Sequence, residues 1–133
     1  MLVKRSVRVK MIMTDETRKE IEEKYLGELH QIRIELEQLE FQNKKLVAEA
    51  RRKSIDAKDI IYKFDQEKKK RALRLEQLEI KIKEILKIEN GVELAYSTVD
   101  SYVTVEIGSK WETLIESPEI ILKDGIVVEI RNP

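Results

Sequence analysis

The chain has 133 residues, 26 basic against 26 acidic side chains, and no cysteine. The missing cysteine excludes disulfides, thiolate metal sites and cysteine nucleophiles, and fits a reducing compartment. Charged residues make up 39% and aromatics 5%, a profile that suits a solvated helical assembly better than a compact enzyme.

Leu2 to Met13 reads as a strand, with Val3, Val7, Val9, Met11 and Met13 on one face and Lys4, Ser6, Arg8 and Lys10 on the other. Arg5 interrupts the apolar face. The charges at Lys4, Arg5, Arg8 and Lys10 leave no signal-peptide core, and no apolar run approaches the ~20 residues of a membrane span. A cytoplasmic protein with no membrane partner is expected. A lone strand is not stable in water, so this one must pair downstream. Thr14-Asp15-Glu16 then supplies an N-cap and acidic groups for a first helical turn.

From about Asp15 to Glu89 there is one glycine, Gly27, and no proline. Ile21, Tyr25, Leu29, Ile32, Leu36, Leu39, Asn43, Leu46 and Ala50 follow one another at spacings of three and four, the pattern of a coiled-coil seam. A second stripe comprises Ile60, Phe64, Arg71, Leu75, Leu78, Ile82 and Ile85, loosest between Glu67 and Arg71. Pairing Leu46 with Phe64, Ala50 with Ile60, Ile32 with Leu78, Leu29 with Ile82 and Tyr25 with Ile85 gives position numbers that add to 110 or 111. A constant sum means antiparallel packing about a centre near Ile55.

Two geometries satisfy that rule. A turn near 52–58, capped by Ser54 or Asp56, gives a hairpin of arms ~50 Å long. An unbroken helix of ~110 Å gives a domain-swapped antiparallel dimer. The hairpin is preferred because it lets one chain bring its own flanking strands together. Asn43, on the seam opposite Glu67, is placed to fix register through a cross-helix hydrogen bond or to sit in a wet gap.

After Asn90-Gly91, which suits a helix C-cap, strand-like segments return. Val92 to Thr98 and Ser101 to Ile107 read as two strands. Ser109 and Glu112 have capping-box spacing before a short turn that would bury Trp111, Leu114 and Ile115. Glu119 to Lys123, Asp124-Gly125 and Ile126 to Arg131 read as a hairpin with a type I′ turn. The expected fold is α+β: a long antiparallel helical coiled-coil hairpin, or a straight helix in a swapped dimer, over 15–90. It carries a small, mostly antiparallel β module built from 1–14 and five strands in all, completed by 91–133.

The neutral total hides a charge distribution. Residues 1–14 carry +4, 15–43 carry −5, 44–74 carry +7, 75–90 carry −1 and 91–133 carry −5. The basic middle holds Lys44, Lys45, Arg51, Arg52, Lys53, Lys58, Lys63, Lys68, Lys69, Lys70, Arg71 and Arg74. These twelve are the candidate contacts to RNA or a ribosomal particle, although only Tyr62 and Phe64 offer stacking nearby. The bland reading is a solvated face partly paired with acids on the other arm. A protein client held between the arms through residues such as Ile34 or Phe41 is the alternative partner class.

Nothing points to catalysis. His30 is the only histidine, there is no glycine-rich phosphate loop, and Glu106, Glu112, Glu116 and Glu129 lack acid/base spacing. The chain is expected not to be an enzyme and to need no cofactor or metal.

The opening VKRSVRVKMIMTDET, the central IELEQLEFQNKKL, VTVEIGSKWETL and the terminal KDGIVVEIR resemble the YlqD family of bacterial proteins. Gly108, Trp111 and the stretch from Lys123-Asp124-Gly125 to Arg131 carry most of the likeness. The resemblance implies a small bacterial cytoplasmic protein. An RNA-related role is implied by association only, and no catalytic or ligand residues come with it.

Overall fold

The computed structural model describes all residues, 1–133. Its elements are β1 (Leu2–Ile12), α1 (Asp15–Arg52), α2 (Lys58–Lys87), β2 (Glu93–Thr104), α3 (Trp111–Ile115), β3 (Glu119–Lys123) and β4 (Ile126–Arg131). The chain is α+β and folds as two compact units, Met1–Lys19 with Ile88–Pro133, and Glu20–Lys87.

The first unit is a four-stranded mixed sheet in the order β2-β1-β3-β4. β1 is central because its period-two alternation gives it an apolar face between two neighbours, and there Val7 and Val9 are buried. β2 runs antiparallel along the whole of β1, from Leu2 opposite Thr104 to Ile12 opposite Glu93. β3 pairs with β1 in parallel, Arg8 opposite Glu119 through Met11 opposite Leu122, an exception to the antiparallel arrangement that local sequence suggests. β4 returns antiparallel to β3 through Asp124-Gly125, at φ 50° and 79°, the two left-handed residues that a type I′ turn requires.

The structure has four strands rather than five. Val92–Thr98 and Ser101–Ile107 are not separate, because Val99 pairs with Val7 and Asp100 with Ser6; the one irregularity of the ladder is a bulge at Tyr96, between the Val9 and Lys10 pairs. Trp111 is a second correction: α3 spans five residues, too few to bury an indole, and Trp111 is 60% exposed.

Thr14 caps α1, accepting the Thr17 N–H at 3.1 Å. Its hydroxyl donates in turn to Asp124 Oδ1 at 2.6 Å, which ties the β3–β4 turn to the helix start. α2 stops at Lys87, short of Glu89. The Ile88 carbonyl instead accepts Arg18 Nη2 at 2.7 Å, and the same nitrogen donates to Asn90 Oδ1 at 2.6 Å. Asn90 Nδ2 donates to Asp15 Oδ1 at 3.1 Å. Gly91, at φ 90°, then turns the chain so that its N–H reaches the Met13 carbonyl at 2.9 Å.

In the second unit α1 and α2 are separate helices that run antiparallel. The numbers of their ion-paired residues fall on α2 as they rise on α1: Glu28 with Arg74, Glu35 with Arg71, Glu40 with Lys68. Leu29, Ile32 and Leu78 are the buried centre, with Tyr25, Leu36, Leu75 and Ile82 packed around them. Leu46 is 49% exposed; after Asn43 the stripe steps by four to half-buried Val47 before reaching Ala50. The Asn43 Oδ1 is enclosed without a hydrogen-bond partner, and the Glu67 carboxylate is taken up by Arg71 and Lys70 on its own helix rather than by Asn43. Gly27 meets no neighbour that would require its small size.

The helix break has no glycine, yet it is well defined. Ser54 adopts φ 56°. Its N–H donates to the Arg51 carbonyl at 3.1 Å, and the Ile55 N–H to the Ala50 carbonyl at 2.8 Å. These are the paired bonds of a Schellman motif, with serine in the left-handed position usually held by glycine. Asp56 Oδ1 then accepts the Lys58 N–H at 3.0 Å and starts α2; of the two expected caps, Asp56 is the one used.

Candidate functional site: the basic turn between the long helices

All twelve basic residues of the 44–74 segment lie on the end of α1, the turn or α2 as far as Arg74. They divide by partner. Lys53 pairs with Glu49 at 3.4 Å, Lys68 with Glu40 at 3.9 Å, Lys70 with Glu67 at 3.6 Å and Arg74 with Glu28 at 3.5 Å. Arg71 is the most constrained, with Nη1 at 2.6 Å from Glu67 and Nε at 3.4 Å from Glu35. The other seven (Lys44, Lys45, Arg51, Arg52, Lys58, Lys63 and Lys69) are exposed and carry no ion pair.

Six of those seven lie between 44 and 63, on either side of Ser54. That span holds seven basic and three acidic residues. The Lys68–Arg71 run, the sharpest basic run in the sequence, is mostly engaged with carboxylates. That pairing shifts the groups on both sides. A hydrogen bond from Arg71, aided by the Lys70 charge, holds the Glu67 carboxyl below its ordinary value. The Arg71 guanidinium is raised in return, chiefly by its hydrogen bond to Glu67. Lys68 also sits 5.7 Å from the Phe64 ring centre, within cation–π range.

Apolar groups are exposed beside the free cations. Tyr62 is 65% exposed and Phe41 71%. Ile34 is half-buried. Around a turn so composed, an anionic chain would meet exposed, unpaired ammonium and guanidinium groups, with one phenol ring for stacking.

Sequence reasoning passed over a second charged constellation, on the sheet. Arg131 Nη1 donates to Glu93 at 2.9 Å and Nη2 to the other oxygen of the same carboxylate. Arg131 also pairs with Glu129 at 3.0 Å and Glu119 at 3.7 Å. Lys10 bridges to Glu119 at 2.8 Å, and Arg8 lies 3.3 Å from the same side chain. Arg131 holds Glu93 below its ordinary value, and Lys10 does the same for Glu119. Every charge in the cluster is matched, so it stitches strands together rather than offering a site. The pairing of Arg8 with Glu119 follows from the parallel β1–β3 register, which local sequence does not disclose.

Comparison with known proteins agrees with the resemblance of the sequence. The chain is 26% identical over 125 residues to the Bacillus subtilis protein described as "Uncharacterized protein YlqD", covering 94% of each chain. The crystal structure of a protein of unknown function from Synechococcus sp. WH 8102 matches with a TM-score of 0.87 over 99% of this chain and 96% of that one. Its identity is 17%, so that likeness is one of fold alone. The model of the YlqD protein family matches residues 1–131, and the chain belongs to that family.

Proposed function

We propose that this is a non-catalytic interaction protein of the cytoplasm. Its two long helices form a coiled-coil hairpin, and the basic turn of that hairpin contacts a polyanion, ribosomal RNA or a ribosomal particle being the chemistry that fits best. One observation carries the reading: of the twelve basic residues of 44–74, the seven without a carboxylate partner include six that flank the helix break. Cations already paired gain little from a phosphate, whereas free ones release counterions on binding and give salt-sensitive affinity.

A sucrose gradient of lysate containing the tagged protein tests this at low and at high salt. Co-migration with ribosomal particles that high salt abolishes is the expected result. Slow sedimentation at both salts would remove the ribosomal reading.

The exposed Phe41 favours a second reading, a chaperone-like arm that holds a protein client. That reading expects Phe41→Ser to lose suppression of client aggregation; unchanged suppression would end it. The swapped antiparallel dimer is the rival to the hairpin, and a measured mass of two chains in solution would favour it.

A further inference from the structure

The sheet unit carries a cavity of about 350 Å³ that the basic turn does not involve, and Arg5 lies in its wall. Val103 and Val105 of the β2 side line it with Trp111, Leu114 and Ile115 of the α3 segment. Neither Asp nor Glu contributes to the lining. Two cations do, Lys4 and Arg5. Lys4 is committed to Asp100 at 3.1 Å, while Arg5 makes no ion pair and reaches only the Glu116 carbonyl, 3.5 Å from Nη1. The Arg5 Nε is enclosed and has no hydrogen-bond partner.

This arrangement explains two oddities together. Arg5 interrupts an otherwise apolar strand face, and Trp111 stays outside the core. The Arg5 Nη2 makes no hydrogen bond or ion pair and is not enclosed, so an incoming oxyanion would give this unpaired guanidinium a partner. Mostly apolar walls, with Ser6 and Ser117 the only neutral polar residues, around one unpaired positive charge select an amphipathic anion. The two Nη groups of a planar guanidinium match a carboxylate end-on through two parallel hydrogen bonds. The volume is at the small end of the range of roughly 300–1,000 Å³ found for small-molecule pockets. We infer that the cavity bounded by Arg5, Val103, Trp111 and Leu114 binds a small organic carboxylate carried on an aromatic or branched aliphatic body.

Trp111 is the only tryptophan, so its indole N–H resonance reports on the cavity in the full-length protein. Phenylpropionate is titrated against its neutral isostere phenylpropanamide. The expected result is a saturable shift of the Trp111 signal, with the amide binding about tenfold weaker or worse, the worth of a charge-assisted hydrogen bond. Arg5→Gln should bring the two affinities together. Equal affinities in the native protein, or no saturable shift with either compound, would overturn the inference. If Arg5→Gln does not fold, as circular dichroism would show, the comparison of acid and amide on the native protein decides alone.

Discussion

Gly27 and Ser54 are the two residues whose backbone chemistry is least suited to their positions. Gly27 lies inside α1, where a Cβ would meet nothing within 4 Å. Gly27→Ala should therefore stabilise the protein by about 1 kcal/mol, the intrinsic helix difference, read as a rise in the denaturation midpoint. Ser54 holds a left-handed φ of 56°, which costs an L-residue roughly 1–2 kcal/mol. Ser54→Gly should raise stability, less the entropy that glycine loses on ordering, leaving a gain of about 0.5–1 kcal/mol. A fall in stability would mean that the Ser54 side chain contributes something beyond the backbone turn. Neither substitution touches a free cation.

Among the elements, the packing of α1 on α2 rests on few side chains. Leu78 is 0% exposed and sits between Leu29 and Ile32. Leu78→Ala should cost about 2–5 kcal/mol, whereas exposed Leu73→Ala should fall within roughly 0.5 kcal/mol of the parent. Equal effects would show that the helices do not pack as described. The stripes on both helices are legible in sequence because a period near 3.5 is a property of the residues alone. Where the stripe is interrupted, at Asn43, the nearer of two apolar candidates is not the one that packs, and Val47 replaces Leu46.

The strands are less legible. Val99-Asp100 reads as the gap between two strands because aspartate favours turns, but the ladder to β1 runs straight through it. Tertiary pairing overrides local propensity in sheets. The parallel β1–β3 pairing joins residues more than a hundred positions apart, and no local signal marks it. The same holds for Arg131, whose carboxylate partners come from β2, β3 and β4.

At the scale of the whole molecule, the balance of charge is divided between paired and unpaired groups. Asp15, Glu67, Glu93 and Glu119 all have carboxyls held below their ordinary values, led respectively by hydrogen bonds from Asn90, Arg71, Arg131 and Lys10. A depressed folded pKa contributes stability that is complete above the ordinary carboxylate range and is lost as pH falls through the folded value. The melting temperature should therefore drop on acidification below about pH 4. Glu93→Gln and Glu119→Gln should flatten that drop, and salt should blunt it, since these groups are solvated. An acid limb identical in the variants would place the titrating groups elsewhere.

The same division is only half visible in sequence. The surplus of positive charge over 44–74 can be counted from the chain. Which cations are free cannot, because Glu28, Glu35 and Glu40 reach their partners only across the helix pair. The structure moves the free charge from the Lys68–Arg71 run toward the turn.

That shift sets the decisive measurement: the affinity of a single-stranded RNA for two variants across a range of salt concentrations. One variant carries glutamine at Lys44, Lys45, Arg51 and Arg52, and the other at Lys68, Lys69 and Lys70. The turn variant should lose most of the affinity and reduce the salt slope by up to roughly three, at about 0.7 for each phosphate no longer neutralised. The run variant should change both far less, because two of its three lysines are already ion-paired. An equal loss from both variants, or RNA binding indifferent to salt, would contradict the account.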